Sequence, residues 1–224
     1  YPVETVDWLP PSTVASFAGT GNPFSMGELR PGETVLDLGC GIGSFFKLHG
    51  RHFGEKTGTD HSRRMLQIAA RRCRAVPGCR WLQADARGLP PALRDRADLV
   101  VCSNVITFVS AAACHRAMRE TVRGAKPGGW LLFILPALES HDQVVAVESG
   151  RPRAVRTSPA AIVRRDDRMQ RFYTAEGARQ LAARAGLQSI TVRKVWPPDA
   201  PRSAAASSID PGTRSSAACI GRII

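Results

Sequence analysis

The chain has 224 residues, of which 43% are hydrophobic, and it carries 31 Lys and Arg against 19 Asp and Glu. This length suits one domain with a core of several strands and helices, and it requires no second domain. The net charge of +12 raises the possibility of an anionic partner, whereas the lack of a long apolar run excludes a membrane-spanning helix within this sequence.

The first predicted element is a buried strand that ends in an acid and three alternate glycines. Residues 35–43 read Val-Leu-Asp-Leu-Gly-Cys-Gly-Ile-Gly, so an apolar run breaks into a turn that a ligand approaches closely. A plain structural turn needs one glycine, not three. A dinucleotide would bring an anionic pyrophosphate, which Asp37 would repel, whereas S-adenosylmethionine (SAM) has no phosphate and carries an ammonium group. The segment therefore favours SAM, bound at Gly39, Gly41 and Gly43.

The next two predicted strands also end in acids. Lys56–Asp60 is followed by a helix, and the position of Asp60 after the glycines suits a carboxylate that accepts from a ribose diol. The alternative is that Asp60 caps this helix, a role for which Ser62 competes. Residues 80–85 form a third strand, and Asp85 at its end accepts from an adenine amino group or is a solvated turn residue.

Strands and helices alternate through the rest of the pattern. A fourth strand, residues 97–104, is apolar at its centre, as expected for a parallel strand covered on both faces. Residues 62–75 and 111–125 form amphipathic helices, and a last helix begins at the N-cap Thr174 and stops at Gly186 before a strand over 188–196. The predicted fold class is α/β, a Rossmann-like, doubly wound, mostly parallel sheet with helices on both faces.

From roughly Leu29 to Leu187 the chain resembles the class I SAM-dependent methyltransferases. In that family, Lys126-Pro127-Gly128-Gly129 corresponds to the turn into the fifth strand, here residues 130–135. The resemblance implies SAM as cofactor, S-adenosylhomocysteine as product and a SAM domain over residues 29–196. The predicted cofactor site then includes, beside the acids and glycines, the neighbouring residues Cys40, His61, Ala86 and Ser103.

Two flanking segments complete the predicted organisation. Residues 16–24 resemble the glycine-rich lead-in of arsenite methyltransferases and their relatives, which implies that residues 1–28 cover the cofactor. Arsenite methylation requires a thiolate just after the fourth strand, where this chain has Ser103-Asn104-Val105-Ile106, so the resemblance implies little about substrate. Residues 197–224 are a poorly patterned tail in which only Ile220–Ile224 favours a short edge strand.

Residues for the chemical step are less clearly indicated. Methyl transfer from SAM is an in-line displacement, so the enzyme supplies alignment and, where the nucleophile carries a proton, a base. Glu139 and His141 follow the fifth strand and are candidate bases, and Tyr173 is a candidate for orienting an acceptor. The competing interpretations are solvated loop residues for Glu139 and His141 and a packed aromatic for Tyr173.

The predicted function is SAM-dependent methyl transfer to an oxygen, nitrogen or carbon of a small molecule. One alternative is an RNA methyltransferase that uses the arginine-rich segment Arg151–Arg171, which otherwise serves as a solvated loop. A second alternative is a catalytically silent SAM-fold module that binds a partner protein. The six cysteines show no metal-ligand spacing, so we expect no metal, reduced thiols and a cytoplasmic location. Acceptor and oligomeric state stay open.

Overall fold

The computed structural model describes residues 30–137, 154–157, 160–165, 168–195 and 216–222. Strands and α-helices alternate through the first part of these ranges, with short 3₁₀ turns at 50–52, 91–93 and 106–108. In chain order the elements are β1 (Val35–Leu38), α1 (Ser44–His49), β2 (Lys56–Asp60), α2 (Arg63–Arg72), β3 (Cys79–Gln83), β4 (Ala97–Ser103), α3 (Ala111–Gly124), β5 (Ala125–Pro136), β6 (Ala154–Thr157), β7 (Ala160–Arg165), β8 (Arg168–Tyr173), α4 (Ala175–Arg184), β9 (Gln188–Val195) and β10 (Ser216–Arg222).

The main sheet has seven strands in the order β3-β2-β1-β4-β5-β10-β9. The first five are parallel to one another, and β10 runs antiparallel to both β5 and β9. Strands β2 and β3 lie on one side of β1, whereas β4 and β5 lie on the other. The carboxyl ends of β1 and β4 therefore flank a crevice of the kind in which open α/β sheets bind ligands. The predicted Rossmann-like, doubly wound α/β sheet is confirmed.

Both faces of the central strands are buried beneath helices. On one face, β1, β4 and β5 pack against α1 and the end of α2 through a cluster that includes Phe46, Val101 and Cys73, which directly follows α2. On the other face, Leu38 and Met118 belong to a larger cluster that also takes in residues of α3 and α4. Because each of these strands is covered twice, an apolar residue at almost every position is required.

The helix termini follow their predicted chemistry. The Oγ atom of Ser62 accepts from the Met65 amide at the start of α2, and Thr174 Oγ1 accepts from the Gly177 amide at the start of α4, at 2.9 Å. Gly186 follows α4 with a φ of +91°, which ends the helix. Ser62, and not Asp60, is therefore the N-cap residue of α2.

The start of β5 differs from the prediction. Residues 126–129 were expected to form a turn before a strand at 130, but β5 begins at Ala125. The pairing with β4 jumps from Ala97 opposite Ala125 to Leu99 opposite Trp130, so the intervening residues form a bulge within the strand. Lys126 Nζ lies 2.9 Å from Asp98 Oδ1 of β4, and this ion pair helps to hold the bulge against the neighbouring strand.

The prediction for the carboxyl-terminal segment was wrong in position and extent. A short edge strand was expected over residues 220–224, whereas β10 begins at Ser216 and lies inside the sheet between β5 and β9. The sequence of β10 is rich in small residues and has little intrinsic preference for a strand. Hydrogen bonding to a neighbour on each side stabilises it instead.

The arginine-rich segment is also different from its prediction as a solvated loop. Strands β6, β7 and β8 form a separate three-stranded antiparallel sheet in sequence order. Strand β8 leads directly into the cap of α4, and Tyr173 at its end forms a parallel bridge with Ala137 just beyond β5. This second sheet is therefore joined to the carboxyl edge of the main sheet.

Candidate functional site

The loop after β1 has three glycines in the left-handed conformation. The φ angles of Gly39, Gly41 and Gly43 are +70°, +52° and +75°, a region that residues with a Cβ atom rarely adopt. A Cβ atom on Gly39 would collide with the side chain of Val105, so that glycine is required by packing. A Cβ atom on Gly41 would meet nothing within 4 Å, so the centre of the loop faces open space that a ligand can occupy.

Asp37 lies inside the structure, just before this loop. Only 3% of its surface is exposed. Burial, followed by the nearby negative charge of Asp60, raises the pKa of Asp37 from 3.8 to about 7. A cationic ligand group close to Asp37 would favour the ionised form and offset this cost, which is what the ammonium group of SAM would provide.

Asp60, at the end of β2, holds the glycine loop to the beginning of α2. Its Oδ2 atom accepts from the Gly41 amide at 3.0 Å, and its Oδ1 atom accepts from the Ser62 amide at 2.8 Å. The side chain is only 9% exposed. Asp60 is thus a buried brace as well as the predicted ligand of the ribose hydroxyls, for which each carboxylate oxygen retains a further lone pair.

Asp85 lies two residues beyond β3 and is paired with Arg87. Arg87 Nε is 2.9 Å from Oδ1 and 3.0 Å from Oδ2, and the Arg87 amide also donates to Oδ1. The hydrogen bond from Arg87 lowers the pKa of Asp85 to about 2, so this carboxylate is ionised at neutral pH. An adenine amino group would therefore share the Asp85 carboxylate with Arg87, a partner that no sequence pattern indicates.

The other predicted cofactor residues lie around the same edge of the sheet. Cys40 is buried, and burial raises the pKa of its thiol, so it is uncharged. The imidazole of His61 is exposed, with Nδ1 3.5 Å from Asp60 Oδ1. Ala86 packs against the core, and Ser103 is half-buried at the end of β4. Their contacts with a cofactor remain predictions.

Of the three residues predicted to act on the acceptor, the structure describes Tyr173, which is less accessible than the centre of the glycine loop. Tyr173 is buried, its hydroxyl lies 3.7 Å from Cys114 Sγ of α3, and burial raises the pKa of the phenol. This environment matches the packed-aromatic interpretation, and contact with an acceptor would require the ring to leave the core. Glu139 and His141 lie outside the described residues, so their role as bases stays a prediction.

Three features of the site were missed from the sequence. Asn104, directly after β4, is exposed and has a φ of +56°, and its backbone N–H donates to the carbonyl oxygen of Ile134 at 2.9 Å. Gly58 in β2 and Trp81 in β3 occupy one row of the sheet with Asp37. A glycine inside a strand indicates close approach of another group, so Gly58 was the sequence signal from which this row could have been predicted.

Among the described residues, no group of His, Cys, Asp and Glu could hold a metal ion.

The chain was compared with known protein families and with individual relatives. Residues 35–129 match a family model described as a methyltransferase domain. A 2-phytyl-1,4-naphtoquinone methyltransferase of Thermosynechococcus vestitus is 33% identical over 124 residues, which cover 54% of this chain and 52% of that protein. A probable tRNA methyltransferase 9B of Homo sapiens is 30% identical over 118 residues, covering 52% of this chain and 24% of that protein. The chain thus spans about half or less of the length of these relatives.

Solved structures agree with the fold. A SAM-dependent methyltransferase of Methanosarcina mazei superposes with a TM-score of 0.65 at 15% identity, covering 91% of this chain and 98% of that one. A 1,6-didemethyltoxoflavin-N1-methyltransferase of Burkholderia thailandensis, solved with its substrate and S-adenosylhomocysteine, has a TM-score of 0.63 at 15% identity, covering 87% and 72%. The resemblance of residues 16–24 to arsenite methyltransferases stays a prediction, because that segment lies outside the described residues. The main resemblance, to the class I SAM-dependent methyltransferases, is confirmed: residues 35–129 match a methyltransferase domain, and the fold is that of solved SAM-dependent methyltransferases.

Proposed function

We propose that this chain transfers the methyl group of SAM to a nucleophilic oxygen, nitrogen or carbon of a small molecule. The observation that carries the proposal is a set of three acids, one near the carboxyl end of each of the adjacent strands β1, β2 and β3, together with a left-handed glycine loop after β1. The centre of that loop, Gly41, has room for a ligand, its amide donates to Asp60, and Asp37 lies close enough to Asp60 for their charges to interact. The carboxyl group of Asp37 just before the loop would repel the anionic pyrophosphate of a dinucleotide, which argues against that cofactor.

Each acid has a distinct role in this proposal. The buried carboxylate of Asp37 attracts the ammonium group of SAM through a poorly solvated environment, where charge interactions are strong. Asp60 accepts from the ribose hydroxyls while its hydrogen bonds to Gly41 and Ser62 fix the loop. Asp85 accepts from the adenine amino group. SAM itself supplies a methyl group already activated by its sulfonium, so these residues act by position.

Two observations support a small-molecule acceptor. The relatives whose names indicate a small acceptor include the naphthoquinone methyltransferase above. No Asn/Asp-Pro-Pro-Tyr sequence follows β4, where Ser103-Asn104-Val105-Ile106 stands instead, and this disfavours methylation of amino groups on bases and amides. We retain residues 1–28 as a proposed cover for the cofactor.

Two measurements test the proposal in sequence. Isothermal titration calorimetry with SAM, S-adenosylhomocysteine and NAD should give heat for the first two only. An assay for S-adenosylhomocysteine release with a panel of hydroquinones, phenols, amines and carboxylic acids should then identify the acceptor class. Heat with NAD and none with SAM would overturn the cofactor assignment. Binding of SAM without turnover on any acceptor would favour the catalytically silent module.

RNA methylation is the second candidate, because one stretch of the surface is strongly basic. Residues 61–84 contain six exposed arginines and no acid: Arg63, Arg64, Arg71, Arg72, Arg74 and Arg80. The probable tRNA methyltransferase relative points in the same direction. A filter-binding titration with tRNA at several salt concentrations separates the candidates, because only a dedicated RNA enzyme should retain tight and sequence-dependent binding near 0.15 M salt, where generic phosphate contacts give roughly 10⁻⁴–10⁻⁶ M.

A further inference from the structure

Trp81 lies against the glycine loop although it belongs to β3, two strands away from β1. In the register of the sheet, Asp37 is opposite Gly58, and Gly58 is opposite Trp81. Side chains paired in this way point to the same face. Because Gly58 has no side chain, the indole of Trp81 extends across β2 toward the loop.

The contacts of the indole can be located from the two glycines that it touches. A Cβ atom on Gly58 would lie 2.6 Å from Cζ3 and 2.7 Å from Cε3 of Trp81, and 3.0 Å from Cys40 Sγ. A Cβ atom on Gly43 would lie 3.0 Å from Cη2 of the same ring. The indole therefore runs from the middle of β2 to the last glycine of the loop, and Cys40 Sγ lies beside the same position of β2.

The ring has little freedom to move from this position. Its centroid is 5.9 Å from that of Phe46, in an edge-on arrangement, and Phe46 is fully buried in α1. The space beside Gly43 is also occupied by Ala69 of α2 and by Cys73, whose thiol donates to the Gly43 carbonyl at 3.4 Å. A group enclosed on these sides transmits a displacement to its neighbours rather than absorbing it.

We propose that Trp81 is a positioning residue for the cofactor. Through its contact across Gly58, Trp81 holds the loop from Cys40 to Gly43 in the conformation that binds the cofactor. Asp60 fixes the loop from the end of β2 through the Gly41 amide, and Trp81 supports it from the side of α1 and α2. This inference rests on the proposed binding of SAM. It adds a residue outside the glycine motif that controls affinity without touching the ligand.

The first experiment compares two tryptophans of the same face. Trp81→Phe and Trp81→Ala are matched with Trp130→Phe and Trp130→Ala, because Trp130 on β5 is also partly buried against the cluster beneath α1 and α2. Calorimetry should show S-adenosylhomocysteine binding weakened about threefold by Trp81→Phe and at least about tenfold by Trp81→Ala. The Trp130 variants should lower the melting temperature of the free protein while leaving affinity within about twofold of wild type.

The second experiment tests the contact across β2 with a double-mutant cycle. Gly58→Ala places a methyl group against the indole and should reduce S-adenosylhomocysteine affinity at least about tenfold. In Trp81→Leu the ring is absent, and of the close contacts of the added methyl group only that with Cys40 Sγ, at 3.0 Å, remains. Adding Gly58→Ala should then change affinity by less than about threefold, a strong departure from additivity. Circular dichroism of each variant confirms that the measurement is made on folded protein.

Fluorescence supplies an independent readout. S-adenosylhomocysteine should change the tryptophan emission of wild type and of Trp130→Phe, and Trp81→Phe should remove most of that change. Wild-type protein that fails to bind S-adenosylhomocysteine refutes the proposed function itself. Wild-type binding together with unaltered affinity in Trp81→Ala, or with equal effects of Gly58→Ala in the presence and absence of the indole, overturns only the role of Trp81.

Discussion

Asp37→Asn should stabilise the free protein at alkaline pH and leave its stability nearly unchanged at acidic pH. An unfolded aspartate ionises near 3.8, whereas burial and the charge of Asp60 raise the pKa of folded Asp37 to about 7. The folded state therefore holds the extra proton between these values, so the contribution of Asp37 to stability is fully present below about pH 3.8 and is lost progressively as pH rises to about 7. Each pKa unit corresponds to 1.36 kcal/mol, so roughly three units amount to about 4 kcal/mol as an upper limit.

The amide of asparagine removes this ionisation but must find hydrogen-bond partners, so we expect a gain of about 2–3 kcal/mol at pH 8.5. Urea denaturation of wild type and variant at pH 5.5 and 8.5 gives the measurement, because effects of shape cancel between the two pH values. Asp98→Asn is a control for which we expect a loss of stability instead of a gain. Partial burial alone would raise the pKa of Asp98, but Lys126 and the Thr34 amide hold it below its usual value. A gain for Asp37→Asn that is equal at both pH values, or a loss at pH 8.5, would refute this reasoning.

Three further predictions concern the loop, its brace and the basic surface. Asp60→Ala should weaken SAM binding by about 2–3 kcal/mol, or roughly 30- to 150-fold in calorimetry. It should also lower the melting temperature, because the Gly41 and Ser62 amides lose their acceptor. Unchanged affinity would exclude Asp60 from the cofactor site. Gly41→Ala should abolish detectable SAM binding at a stability cost of only about 1–2 kcal/mol for the left-handed backbone. Gly39→Ala should lower the melting temperature further, because its methyl group meets Val105. Equal melting temperatures of the two variants would contradict this contrast. Filter binding of tRNA should be weak, with a dissociation constant of roughly 10⁻⁴–10⁻⁶ M near 0.15 M salt, and nanomolar affinity would favour the RNA enzyme.

Most of the parallel sheet was predictable because local signals agree there with the fold. The apolar run before Asp37, the acid at the end of β2 and the caps Ser62 and Thr174 are each specified by nearby residues. The strands they delimit were placed within one or two residues. Where short-range chemistry and tertiary packing favour the same structure, sequence reasoning succeeds.

The remaining elements depend on partners that are distant in sequence. Strand β10 has little intrinsic strand preference and exists because β5 and β9 bond to it on both sides. The position of Trp81 follows from a missing side chain on another strand, Gly58. Asp60 is buried at the end of β2, and its contacts with the amides of Gly41 and Ser62 form only once the glycine loop and the start of α2 are in place. Such couplings are invisible to periodicity along one segment.

The placement of β10 between β5 and β9 has a consequence for biosynthesis. Until β10 has been made, β9 has no neighbour in the main sheet and the outer edge of β5 carries unpaired amides and carbonyls. Completion of this half of the sheet is therefore delayed until the ribosome has synthesised residues 216–222, during which time an exposed strand edge is open to pairing with other chains. Truncation before Ser216 should consequently remove two strands from the sheet rather than one and should produce aggregation during expression.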